Sequence, residues 1–478
     1  MKQPPAPLSQ EPTRAQRIAL AMLKPKIAIP LAFIALLLIA PLIYRSSRLS
    51  GLPDIPPPFD VEKYDTVAID PKENAFEFYK QASGPLHGSE HLNNDDYDKV
   101  MEEGWQAASE DIRTWVSDNR AAFALWLKGA AAPDALYHQP KELRIDTLLP
   151  MVMNQYEFAR LAKLEAARLE AEGKPAAAWD MYRAIFRSSR HCGRHGTIIE
   201  RLIGIGFHSM AVDSMTKWSA RSDVDVAMLR RALEHVSEDY ELTPPASDAL
   251  RSEYFVLMNL YDRLELSSAD ARGLGDWGRP IADVLPAGLA MFLFNEPELS
   301  RRVTKHAFAN WLAQIDNPRH ARTETRAGEL TLFDPEPAGE SSSLAPQKID
   351  ACLSRTLFLR NLMPALVELD RMIGREQAKQ ACLIVILAAQ AYQRDHGEFP
   401  EELEDLRDGY LDEVPADPYG KVGETIRYRR NGARAVVWSI FENGRDDGGA
   451  DVQVVPGEGL PTDIGYEFSA PGAAEAQP

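Results

Sequence analysis

Cysteine is scarce in this chain: Cys192, Cys352 and Cys382 in 478 residues, with no CxxC. So sparse a set, spread so far apart, does not make a disulfide framework or a cysteine zinc site. Cys352 and Cys382 fall in apolar stretches of helical spacing and read as core residues. Basic residues are also short, 53 Lys+Arg against 71 Asp+Glu, for a formal net charge of −18. Phosphate contacts need clustered Lys and Arg, so nucleic acid is not an expected partner. The signatures of several catalytic classes are missing too. No G-x-S-x-G, Walker loop or G-x-G-x-x-G after a strand occurs.

What is present is the composition of a folded protein, 45% hydrophobic and 26% charged, with length for two or three domains. The acid gathers late: Asp395–Pro478 holds 19 acidic against 7 basic residues, a net of −12. Such a segment favours cations or basic partners, or is simply a solvated surface.

Ile27–Tyr44 runs 18 residues without a charge. At about 1.5 Å per residue it makes about 27 Å of helix, close to the roughly 30 Å of a hydrocarbon core. Pro30 and Pro41 sit near its ends, where a lost backbone bond is least costly. Arg14, Arg17, Lys24 and Lys26 precede it, against Arg45 and Arg48 after it, which favours a cytoplasmic N-terminus. A cleaved signal peptide would have a shorter apolar region and an A-x-A site. The expectation is a single-pass signal-anchor in the cytoplasmic (inner) membrane: residues 1–26 a cytoplasmic tail, 27–44 the span, the bulk of the chain periplasmic or otherwise extracytoplasmic.

Residues 45–72 read as a Pro-rich spacer, since the four prolines of Gly51–Pro58 preclude a helix or central strand. From 73 to 318 the pattern is helical. Helices are expected over Ile198–Ser219, Asp225–Ser237, Ser247–Leu266 and Pro297–Ile315. The segment ARLEAEGKPAAAWDMYRAIFR, broken at Gly173-Lys174-Pro175, resembles one helical hairpin of a tetratricopeptide-type repeat. No second copy at a 34-residue period accompanies it, so an irregular α-helical bundle or solenoid is the reading. Residues 319–348 are polar and read as a linker, or as a loop laid over the helical domain. Residues 349–470 read as helices followed by a small antiparallel sheet, with Asn431-Gly432 as a hairpin turn between Thr425–Arg429 and Ala435–Phe441. The fold class expected is therefore mainly α, with a small α+β region at the end.

That last region carries an ordered set of features: a helix ending Tyr392…Asp395-His396-Gly397, then Phe399-Pro400, Leu403 and Leu406. Pro415-Ala416-Asp417-Pro418-Tyr419-Gly420, a strand at Tyr428, Trp438-Ser439, and Asn443-Gly444-Arg445-Asp446-Asp447-Gly448-Gly449 follow. The set resembles the soluble domain of the major pseudopilin of type II secretion systems, over 60–70 residues. A pseudopilin begins with its own membrane helix, whereas here the apolar run lies more than 300 residues upstream. The resemblance thus implies a pilin-like module reused, with a link to secretion or envelope assembly. It also implies a Ca²⁺ loop at the matching Asp446, Asp447 and Asp451, because clustered hard oxygens beside glycines suit that ion. An ordinary solvated turn is the alternative.

His191, Cys192 and His195 with Glu200 suggest a metal, since His at i and i+4 share a helix face, but no Glu stands between them as base. Arg187, Arg190, Arg194 and Arg201 suggest instead a cationic helix end followed by a Gly-rich turn. Gly204 and Gly206 read as helix-packing positions. The functional expectation is a non-enzymatic, membrane-anchored scaffold binding protein partners. The alternative is an extracytoplasmic hydrolase whose pocket gathers His191, His195 and Glu200.

Overall fold

The helix α1 (Pro25–Ser47) contains the whole uncharged run and both of its prolines. The computed structural model describes residues 14, 25–147, 150–266, 287–327, 330–334, 344–356, 359, 364–449 and 463–472. Among the described residues no helix is long and apolar enough to cross a membrane. Within α1 the side chains at 25–28, 31–32, 34–35 and 37–38 lie outside that description.

The helical body follows in chain order. α2 (Val61–Asp65), α3 (Ala75–Ser83), α4 (Asn94–Glu103), α5 (Glu110–Asp118) and α6 (Arg120–Ala130) are short. Side chains of Asp60, Asn74, Asn93 and Ser109 cap the first four, each worth about 1 kcal/mol. α7 (Pro150–Ala171) and α8 (Pro175–His191) form the hairpin seen in the sequence, turning at Gly173 with φ +69°. α9 (Ile198–Ser219) starts on a capping box between Thr197 and Glu200. α10 (Val226–Tyr240), α11 (Ala246–Leu266), α12 (Ala287–Phe294), α13 (Glu296–Gln314) and α14 (Pro346–Leu353) complete it before the 33-residue α15 (Pro364–His396).

α15 spans three cores, which is why its stretch Cys382–Ala389 is apolar on every face. Leu369 and Ile373 enter a core with Tyr254, Phe308 and Trp311. Leu383 and Leu387 enter a second with Trp126, Phe158 and Trp218. Cys382, Val385 and Ile386 enter a third, beneath the sheet, with Phe399, Leu406 and Phe468. The sheet is antiparallel, β3 (Arg427–Asn431), β4 (Arg434–Ser439) and β5 (Ile464–Ser469), in that order. Asn431 pairs with Arg434, and Gly432 at φ +62° opens the two-residue turn. β5 had no signal in the sequence reading.

Two stretches differ from expectation. Where the linker was read, Glu324–Ala327 and Leu330–Phe333 pair as a hairpin, β1–β2, with Leu332 and Phe333 buried. The Pro-rich spacer does not lift the body clear of α1. Leu52 and Ile55 are buried, and the carbonyls of Leu52 and Pro53 accept from Arg302 and His306 of α13. Two apolar side chains among prolines gain more against the body than in water.

Candidate functional site

The RHCGRH segment does not form one helix face. α8 ends at His191, Gly193 turns at φ +85°, and His195 stands at φ +53°. A Cβ at Gly193 would lie 2.5 Å from the Cα of Arg201. A Cβ at Gly204 would lie 2.6 Å from the Ser189 carbonyl, while at Gly206 it would meet nothing within 4 Å. Glycine therefore lets α8 and α9 approach, and only one of the two helix glycines serves that packing.

The histidines and Glu200 are each engaged elsewhere. His191 is buried and bonds to the Tyr79 hydroxyl at 2.8 Å and the Ala132 carbonyl at 3.1 Å. Burial, with Arg187 adding, pushes its pKa down to about 3, so it stays neutral. His195 faces Asp248, its Nδ1 3.2 Å from the carboxylate. Glu200 caps its own helix through Thr197. Neither cavity described below is lined by any of the three.

What the turn does bring together is charge. Arg187 pairs with Asp239 and Arg194 with Asp134. Arg190 and Arg201 converge from α8 and α9 on the single carboxylate of Glu376 in α15. Exposure is 0%, 1% and 2% for the three, which leaves two buried cations on one anion. Burial would raise the Glu376 pKa, but Arg201 and Arg190 outweigh it and hold the carboxyl well below its usual range. His208 adds no charge, since burial and Arg190 push its pKa down to about 3. It donates to Gln380 Oε1 at 3.1 Å, which also accepts from Arg190.

This cluster floors a cleft of about 570 Å³ between the helical body and the loop before β3, well within the roughly 300–1,000 Å³ of ligand pockets. Arg201, Glu376, Gln380, Tyr240, Arg319 and Arg322 line it. Pro244, Pro245, Pro318, Pro415 and Pro418 are also part of its wall. Arg319 and Arg322 share Asp370, and Arg427 holds Asp417. Four buried lining atoms lack a protein partner: Arg201 Nε, Arg319 Nε, Gln380 Nε2 and Thr243 Oγ1. All four can donate a hydrogen bond but lie beneath the cleft surface, and the lining sets Glu241, Asp316, Glu376 and Asp417 against Arg201, Arg319 and Arg322. Sequence reasoning missed it, because Glu376 lies 175 residues beyond Arg201.

A second cavity, of about 470 Å³, is lined by Trp105, Lys163, Glu170, Tyr182 and Arg221 among others. Its polar groups largely satisfy one another: the Tyr182 hydroxyl donates to Glu170, which also pairs with Arg221.

Of the expected calcium ligands, Asp451 lies outside the described residues. Asp446 accepts from Trp438 Nε1 at 2.9 Å and from the Gly448 amide at 3.0 Å. Asp447 accepts from Asn443 at 2.6 Å. Asp463, not singled out in the sequence, accepts from the amides of Asp447 and Gly449, and its buried Oδ1 has no protein partner. Among the described residues no group of three or more His, Cys, Asp or Glu is placed to hold a metal ion. No known family, curated protein or solved structure matches the chain.

Proposed function

We propose that this chain is a membrane-tethered, extracytoplasmic interaction protein whose contact site is the cleft over Glu376, and that the cleft receives an acidic segment of a protein partner. The observation that carries the reading is the buried pair of arginines on the single carboxylate of Glu376 in the floor of the cleft. A carboxylate supplied by the partner would balance the second cation of that trio. Proline in the walls lowers the cost of ordering them. The tether is supported by the uncharged run 27–44 and by Ile29, Phe33 and Leu36, each at least 60% exposed on α1. Capture from detergent-solubilised membranes tests the reading. The parent protein holds partners that Arg201→Met releases. No reproducible partner, or the same set on both proteins, overturns it.

The pseudopilin resemblance adds a secretion or envelope-assembly setting. It is supported by a long helix packed on a three-stranded antiparallel sheet. For its acidic loop the reading is Ca²⁺ held by Asp446, Asp447 and Asp451, supported by the unpartnered oxygen of Asp463 beside Asp447. Ca²⁺ at a hundred times its Kd then adds about 2.7 kcal/mol, seen as a raised Tm that Asp446→Ala and Asp447→Ala abolish. A melting curve unmoved by Ca²⁺ or chelator removes the ion from the account.

A further inference from the structure

Exposed large apolar side chains concentrate on two helices. Among the described residues fifteen stand out; Ile29, Phe33, Leu36, Ile39, Leu42, Ile43 and Tyr44 lie on α1, and Leu289 and Phe292 on α12. Nine of the fifteen thus sit on two helices that touch, which makes one continuous surface of them.

α12, AGLAMFLF, has no polar side chain. Met291 points into the core shared with Tyr254 and Phe308, while Leu289 and Phe292, three residues apart, are 45% and 44% exposed. The last turn of α1 fixes its place. Arg45 donates to the Phe292 carbonyl at 2.6 Å with its guanidinium 4.8 Å from that ring, and Arg48 lies 5.2 Å from the Phe294 ring. Tyr44 meets Phe294 edge-on. Arginine and tyrosine beside a wholly apolar helix are the residues found where hydrocarbon gives way to headgroups. The spacer after α1 is folded onto the body, so the body stands directly at the end of α1.

We infer that α12 is a second, interfacial contact with the bilayer, its Leu289–Phe292 face seated among lipid acyl chains beside the anchor. This rests on α1 being the membrane anchor proposed above. Two contacts instead of one would hold the cleft at a fixed height and tilt over the membrane, where a single helix would leave it free to swing.

The test uses the full-length protein in phosphatidylcholine vesicles. The three native cysteines are buried, so single cysteines at Phe33, Phe292 or Val422 take an environment-sensitive fluorophore selectively. Val422, 76% exposed on the loop before β3, reports water. Lipids brominated on the acyl chain should quench the labels at Phe33→Cys and Phe292→Cys at least two-fold and leave Val422→Cys unchanged. Quenching at Phe33→Cys without quenching at Phe292→Cys overturns the inference and leaves the anchor standing. Quenching at neither overturns both.

Discussion

Glu376→Gln is expected to cost the folded protein about 3–5 kcal/mol, because it leaves Arg190 and Arg201 buried without an anion. A denaturant titration reads the loss as a lower midpoint. Arg201→Met should cost less, since one cation then faces one carboxylate. The pH dependence has a fixed sign. The Glu376 pKa is depressed in the folded state, so its stabilisation is complete above the ordinary glutamate range. It disappears as pH falls through the depressed value, and there the difference between parent and Glu376→Gln closes. A gap that widens in acid would show that the carboxylate is not the group held between the arginines.

Gly193→Ala should be comparably severe for a different reason. The backbone there has φ +85°, and the new Cβ would lie 2.5 Å from the Arg201 Cα and 2.6 Å from its Cβ. The positive φ alone costs about 1 kcal/mol, and the overlap can be relieved only by moving α9. A total above about 3 kcal/mol is expected, with loss of the convergence of Arg190 and Arg201. Gly206→Ala is the control, a glycine within α9 with nothing within 4 Å of an added Cβ. It should be neutral or stabilising by up to about 1 kcal/mol. Equal losses at the two glycines would mean that the turn does not set the geometry of the cluster.

These residues also show what a sequence can reveal of such a fold. Local signals were legible. The helix expected over Ile198–Ser219 is α9, Gly173 separates α7 from α8, and Asn431-Gly432 marks the hairpin. The apolar stretch at 382–389 is the mark of a helix segment enclosed on every side, which this part of α15 is. What depended on distant partners was hidden. RHCGRH resembled a metal site because its spacing assumes an unbroken helix, and the glycine between the histidines breaks it. The role of Arg190 needed Glu376, and the docking of Leu52 and Pro53 needed α13. The hairpin at 324–333 hid within a polar stretch, its pairing signalled only by Leu332 and Phe333 inside.

Calorimetric titration of the detergent-solubilised protein with two peptides tests the cleft most directly. One peptide is rich in Asp and Glu; the other has the same length with Asn and Gln in their places. Saturable binding of the acidic peptide alone, weakened at least ten-fold by Arg201→Met, is the predicted result. Equal binding of both peptides, or an affinity that Arg201→Met leaves untouched, contradicts the account.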